Sequence, residues 1–565
     1  MKIFYSACLL VLLASSCPAQ LSLDQKLADF NQLVSLYDKN YAPYEWKITA
    51  FGYDLLNTGP WVDRVKASKD DLEFYQICFE YVASLNDAHD SFSIYSDFSA
   101  SLPIGVDIYD GKVLIESISS SLSSSKYPFQ IGDELVSVDG RSVEDLIQEF
   151  SKLGSMANPT STRRLAASKI VSRSQSVMPY AHQIGDSATI VVRRQNGNLE
   201  TYQLPWTKSG TPITAEGPVS MPHSLKSRRA QAAQFSAEPD YMLPLRQLQN
   251  VRLAQQTSIN LGSRTPMFNL PSGFVRRLGG ASTDTFYSGT FKSGGYNIGF
   301  IRIPSFSPSS TTLAYSQFQT EIAYFKDNTD GLIVDDMHNP GGSVCYVEQL
   351  LTYLMPQPFR VLGFEIRATE YWLYSFSLNL TNARLFGSSQ DTIDLYSYLL
   401  SELQTAYAAN RGKTGPLPLC TTSLMRNPAT DSSGKMIAYT KPIMLLTDEM
   451  SASGGDAFPA TFQDAERGLI FGMRTMGAGG SVIGFDATNY SEGSTRMTVS
   501  QMNRKLPVVT SDYPTAPYVE NIGVRPDIAV DYMTRDNLLN HGQSFVNAFT
   551  GAMVDLIAKS QQPQQ

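Results

Sequence analysis

The sequence predicts an α/β protein of several domains, and three observations carry that expectation. The 565 residues are 42% hydrophobic and 11% aromatic, enough to bury more than one core. In the C-terminal half, short apolar runs bounded by Gly, Pro and Asp alternate with helix-period stretches, as buried parallel strands joined by helices do. Ahead of them lie first a stretch with helical spacing and then one rich in short strands. A net charge of -8 and a pI near 5.3 argue against nucleic acid or an anionic membrane as partner, because both need a basic surface.

The first residues, MKIFYSACLLVLLASSCPAQ, combine a Lys, an apolar run and small residues, so 1–19 are expected to be a secretory signal peptide and the mature chain secreted or periplasmic. Anchoring through Cys17 as a lipoprotein is the alternative, weakened by Ala14 where a leucine is usual. No later run is long enough for stable membrane insertion. Cys78, Cys345 and Cys420 are too few and scattered for a disulfide framework or a zinc site; at most one disulfide is open to them, and three buried thiols are expected.

Residues 20–100 read as a helical region through LADFNQLVSLY and LEFYQICFEYVASL, ending at LNDAHDSF. Residues 101–206 read as strands, with an NG hairpin signal in SATIVVRRQNGNLETYQL; Gly132, Asp133, Val138, Asp139 and Gly140 resemble the signature of a PDZ-like domain, a fold that adds peptides to a sheet edge. Residues 207–295 are rich in Ser, Pro, Gln, Arg and Gly and are expected to be flexible, with the basic stretch LKSRRAQ a solvated or protease-sensitive loop. Residues 296–552 form the α/β core, with a helical insertion at about 356–440, and 553–565 are expected to be a disordered tail.

Two strand-turn-helix corners could do chemistry. GLIVDDMHNPGGSVCYVEQLLTYL places Gly341 and Gly342 between a buried strand and a helix, where backbone amides can face an anion; a plain tight turn is the alternative. PIMLLTDEMSASGGDAF places Ser451 and Ser453 at the second corner, with Gly454 and Gly455 after them. A serine there is either an exposed nucleophile or a helix N-cap.

In order and spacing, GFIRIPSF, GLIVDDMHNPGG, PIMLLTDEMSASGGDAF and FQDAERGLIFGMRTMGAGGSV resemble the core of the tail-specific, or C-terminal processing, proteases of peptidase family S41. The resemblance implies an α/β protease core of the ClpP/crotonase-like, tail-specific type, often preceded by a PDZ-like domain, with Ser453 as nucleophile. Most of that family activates its serine with a lysine in a T-x-G-K-G turn; here the turn reads Thr475-Met476-Gly477-Ala478-Gly479. Either the chain is inactive or another base serves, since serine needs one within hydrogen-bond reach. Among His89, His182, His223, His338 and His541, His338 flanks the glycine turn and His89 ends a helix beside two carboxylates.

A narrower resemblance selects among them. Tyr41-Ala42-Pro43, Trp46-Lys47, Leu85-Asn86-Asp87, His89, Arg302-Ile303-Pro304, Asn339-Pro340-Gly341-Gly342-Ser343-Val344, Gly477-Ala478-Gly479-Gly480 and Glu520-Asn521-Ile522-Gly523-Val524 are similar to the chlamydial protease-like activity factor family, secreted serine proteases of the S41 kind that use Ser-His-Glu. It implies Ser453 as nucleophile, His89 as general base and acid, Glu520 as the carboxylate that orients the imidazolium, and an oxyanion hole from Gly454 with Gly341 or Gly342. Asp87 is a candidate helper or a helix-end cap. A core histidine, for His89, and a surface carboxylate, for Glu520, are the structural alternatives. The resemblance further implies polypeptide substrates, no cofactor or metal, a homodimer, and a zymogen whose 207–295 segment is inhibitory and cut; a spacer is the bland alternative. The competing expectation from another class is an inactive peptide-binding or scaffold protein that keeps the fold.

Overall fold

The computed structural model describes residues 20–214, 242–253 and 259–562. The expected signal segment with Cys17, His223 and the basic stretch LKSRRAQ lie outside the described residues. The helical region comprises Leu23–Asn40, Tyr44–Phe51, Gly59–Ala67 and Asp71–Ala83. Its first helix starts at a capping box in which Ser22 and Gln25 exchange hydrogen bonds. Its last ends at Ala83, and Asn86 just beyond takes a left-handed φ of 51°, a conformation Asn tolerates. The chain then reverses into the strand Ser91–Ser93.

The second unit is an antiparallel sheet in the order Ile104–Tyr109, Lys112–Ile118, Glu134–Val138, Ser187–Arg193 and Leu199–Pro205, with the two-residue strand Arg141–Ser142 appended. The expected NG hairpin joins its last two strands, and the helices Val143–Ser151 and Pro159–Val171 accompany the sheet.

The core holds a seven-stranded sheet in the order Val275–Leu278, Tyr287–Ser293, Tyr296–Arg302, Gly331–Asp335, Ile443–Thr447, Leu469–Gly472 and Ile528–Ala529, parallel from the third strand on. Gly331–Asp335 and Ile443–Thr447 are buried at every position, which is why they read as unbroken apolar runs rather than alternating ones. A second sheet centres on the long strand Ser494–Val508 and takes in Gly363–Ile366, Gly480–Asp486 and Ala516–Tyr518. Its remaining member is Ser91–Ser93, paired with Ser91 opposite Arg496. That pairing brings the helical region onto the core.

Four expectations are corrected. The segment 207–295 is not a single flexible stretch: Val275–Leu278 and Tyr287–Ser293 open the main sheet, and Leu243–Gln249 with Asn250–Arg252 form a helix and strand. The edge strand Val275–Leu278 is largely exposed, so its composition is polar and carries no strand signal. The tail is a helix to Ser560, because Phe549, Met553 and Ile557 repeat on one buried face. The insertion contains the helices Glu370–Leu385 and Gln390–Ala408, but its strand Gly363–Ile366 belongs to the second sheet. Finally, Cys345 and Cys420 form a disulfide with Cα atoms 5.4 Å apart, leaving Cys78 as the buried thiol among the described residues; a separation of 75 positions in the chain gave no hint of their proximity.

Candidate active site

Ser453 is fully buried at the corner between Ile443–Thr447 and the helix Gly454–Asp464, with φ 62° and ψ -106°. A non-glycine residue held there marks strain that the surroundings must impose. Asp456, in the first turn of the helix, imposes much of it. Its carboxylate accepts from the Ser453 N–H at 2.7 Å, from Gly477 N–H at 2.8 Å, from Ala478 N–H at 2.9 Å and from the Thr475 hydroxyl. The corner is thereby tied to the Thr475-Met476-Gly477-Ala478-Gly479 turn. Burial raises the Asp456 carboxyl to about 6, against the pull of those donors.

The Ser453 Oγ lies 2.7 Å from His89 Nε2. The backbone at His89 is fixed by Asp87, whose Oδ1 accepts from the His89 backbone N–H at 2.8 Å and whose Oδ2 accepts from the Tyr41 hydroxyl at 3.0 Å. Burial lowers the His89 imidazole to about 4; Asp87 opposes this, while Arg496 and Lys47 add to it. At neutral pH the ring is therefore uncharged and can take a proton from the serine.

Glu520, expected to orient the imidazole, makes no hydrogen bond to it. Its Oε1 pairs with Lys47 Nζ at 2.6 Å and its Oε2 accepts from Gly479 N–H at 2.9 Å. A buried ammonium and a backbone amide satisfy the carboxylate more fully than one imidazole N–H would. His89 Nδ1 has no hydrogen-bond partner among the described residues. Lys47 also donates to Asn86 O at 2.9 Å and to Asn521 Oδ1 at 2.6 Å, so it stitches the turn before His89 to the segment bearing Glu520. Burial and Asp87 push the Glu520 carboxyl up, against Lys47 and the Gly479 amide.

The two glycine corners meet. A Cβ on Gly341 would stand 2.4 Å from Gly454 N, and one on Gly454 would stand 3.0 Å from Gly342 N. As the first helical residue, Gly454 has no acceptor for its N–H within the helix, and the helix dipole favours an anion there. The Gly341 N–H is donated within its own segment, to Asn339 Oδ1 at 2.9 Å, whereas Gly342 is paired with Val251 of a covering strand, so Gly342 and Gly454 are the pair of donors that lifting that strand would free. The strand Asn250–Arg252 covers them, pairing antiparallel with Gly341–Ser343. Beyond it, Leu253 donates its N–H to Pro340 O at 2.8 Å and buries its side chain in a cluster with Ala88, Leu165, Met450, Ala452, Met476 and Ala478.

His338 is turned away from Ser453 and bonds to Asp448 and Arg164. Ser451 is a pin: its hydroxyl lies 2.9 Å from Asp336 O and 3.2 Å from Asp448 Oδ1. Sequence reasoning missed Asp456, although a carboxylate three residues after Ser453 has capping-box spacing. It also missed Arg164, which no local pattern distinguishes from a surface residue. Among the described residues no group of three or more His, Cys, Asp or Glu could hold a metal ion, and no helix is long and apolar enough to cross a membrane.

Residues 297–530 match the model of Peptidase family S41, and residues 98–215 match a PDZ domain. A protein of Chlamydia trachomatis is 27% identical over 559 residues, covering 90% of this chain and 89% of its own length. An uncharacterized protein of Chlamydia muridarum is 24% identical over 557 residues, with the same coverage of each chain. Among solved structures, mature CPAF superposes with a TM-score of 0.74 at 23% identity, over 96% of this chain and 99% of that one. Mature CPAF complexed with lactacystin gives 0.73 at 23% identity, over 95% and 99%. The chain therefore carries a Peptidase family S41 domain at residues 297–530 behind a PDZ domain at residues 98–215, in a fold shared with mature CPAF.

Proposed function

We propose that this protease is a serine endopeptidase that cuts polypeptides through an acyl-enzyme on Ser453, with His89 as general base and then acid. The observation that carries the proposal is the 2.7 Å contact between the Ser453 Oγ and a buried, neutral His89 Nε2 at a strained strand-to-helix corner. Attack on a peptide carbonyl moves the serine proton to Nε2, and the amides of Gly454 and Gly342 receive the oxyanion. The imidazolium is stabilised by the charge of the Asp87 carboxylate, and the orienting role expected of Glu520 requires a rearrangement that frees it from Lys47 and Gly479. Replacing Ser453 by Ala should lower hydrolysis of an unfolded protein on the order of 10⁶-fold and abolish fluorophosphonate labelling. Hydrolysis retained by that variant would overturn the assignment.

The chain is further proposed to be exported, to act as a homodimer and to be made as a zymogen. The zymogen proposal draws on the strand Asn250–Arg252, which lies along Gly341–Ser343 where an extended substrate would, and on Leu253 in the apolar pocket beside Ala452. Incubation of the protein alone should give self-cleavage within 207–295 that is absent in Ser453→Ala. A second reading, a non-catalytic peptide-binding scaffold, draws on the unpartnered His89 Nδ1 and on Glu520 being held by Lys47. Stoichiometric labelling of Ser453, in the intact or the nicked chain, excludes it.

A further inference from the structure

The two segments that supply the oxyanion amides come from different strands, and a second buried histidine joins them. His338 stands three residues before Gly341, and Asp448 five residues before Ser453. Asp448 Oδ1 accepts from the His338 N–H at 3.0 Å and from the Met450 N–H at 3.0 Å, while its Oδ2 meets His338 Nδ1. On the far side of the ring, His338 Nε2 lies 3.2 Å from Arg164 Nη2. A guanidinium only donates, so Nε2 must accept; the ring proton is then on Nδ1 and is given to Asp448. Arg164 belongs to the helix Pro159–Val171 next to the PDZ sheet and is itself fixed by Asp107 at 2.6 Å and Glu449 at 2.9 Å. All of these side chains are buried. Burial works against charge on Asp448, but His338 and Arg164 hold its carboxyl well below the usual range.

We infer that His338 and Asp448 are a positioning pair that clamps the Gly341-Gly342 turn to the nucleophile corner and so sets the distance between the two oxyanion donors. His338 makes no hydrogen bond to Ser453 among the described residues, and Ser453 is served by His89. The pair therefore acts through the backbone it joins. A direct strut supports it: Ala452 N–H donates to Asn339 O at 2.8 Å, one residue along each segment from Ser453 and His338. The backbone at His338 has φ 53°, a left-handed conformation uncommon outside glycine, and both sides of its imidazole are bonded. Oxyanion donors work only within a few tenths of an ångström of their place, so a slack joint between the segments costs rate rather than affinity.

The inference rests on Ser453 being the acylated residue, and two amide substitutions test it separately from that reading. In His338→Asn the amide nitrogen falls where Nδ1 lies, keeps the donor to Asp448, and tolerates the positive φ. In His338→Gln the amide reaches the Nε2 position, keeps a partner for Arg164, and loses the side-chain bond to Asp448 while the backbone N–H bond stays. Wild type and both variants are compared, intact and nicked, for melting temperature, Ser453 labelling by a fluorophosphonate, and kcat and KM on a peptide substrate. His338→Asn should stay within about 3-fold of wild type, while His338→Gln should lose about 10²-fold in kcat and in labelling rate, with KM changed less than about 3-fold. If the Gln variant does not fold, Asp448→Asn replaces it: it keeps an oxygen for the backbone N–H groups but turns an N–H toward Nδ1, and the same loss is expected. Equal rates for Asn and Gln, or a loss confined to KM, overturn the clamp while leaving Ser453 in place. Absence of labelling in wild type overturns the Ser453 reading first.

Discussion

Replacing Leu253 by Ala should raise the activity of the uncleaved chain. Leu253 is 5% exposed, and its side chain fills the pocket beside Ala452 while its N–H holds Pro340 O. Truncating a buried Leu costs about 2 to 5 kcal/mol, and the flexible Met450 and Met476 in the same cluster should close part of the void. A loss of about 2 to 3 kcal/mol is the working figure. At about 1.4 kcal/mol per decade, the population with the segment lifted from the cleft rises about 25- to 140-fold. The assay is the initial rate of Ser453 labelling, read before self-cleavage can accumulate, with the nicked wild type as ceiling. An uncleaved Leu253→Ala chain that labels no faster than wild type, while melting shows the contact is lost, would refute the idea that this segment occupies the substrate's place.

Four further outcomes follow from the geometry. His89 is depressed to about 4, so the acid limb of kcat/KM should have its midpoint near 4 and activity should persist at pH 5; a midpoint near 6.5 would show the imidazole is not buried in the working enzyme. The same depression means that the unfolded chain binds a proton that the folded one refuses, so stability falls as pH drops from about 6.5 to about 4. Asp456→Ala leaves three buried N–H groups without acceptors, which should cost about 3 to 5 kcal/mol by denaturant melting and also release the strain at Ser453, ending labelling. Removing the Cys345–Cys420 crosslink by Ala substitution opens a loop of 75 residues and should cost about 4 kcal/mol by chain entropy, read by the same melting; an unchanged midpoint would show that the crosslink does not constrain the unfolded chain.

The parts legible in the sequence are those whose cause is local. The strands Gly331–Asp335 and Ile443–Thr447 are buried on both faces and read as apolar runs, and the two glycine corners follow them directly. Ser453 and His89 are singled out by the family resemblance, and the structure brings them together. What was not legible depends on partners distant in the chain. Glu520 was expected at His89, yet a lysine 473 positions away holds it. Val275–Leu278 gave no signal because an exposed edge strand has no burial pattern to print on its sequence. Arg164, His338 and Asp448 look like isolated polar residues until the fold places them on one another, and the disulfide is of the same kind.

The strand Ser91–Ser93 lies on Ser494–Val508, and His89, in the turn just before that strand, stands 364 positions from Ser453. No shorter length of chain can therefore possess both. A chain still emerging from the ribosome, or one truncated before about residue 494, has its histidine long before it has anything to hold that histidine against Ser453. Synthesis in this order leaves the Ser453–His89 contact unassembled until the strand Ser494–Val508 has been made.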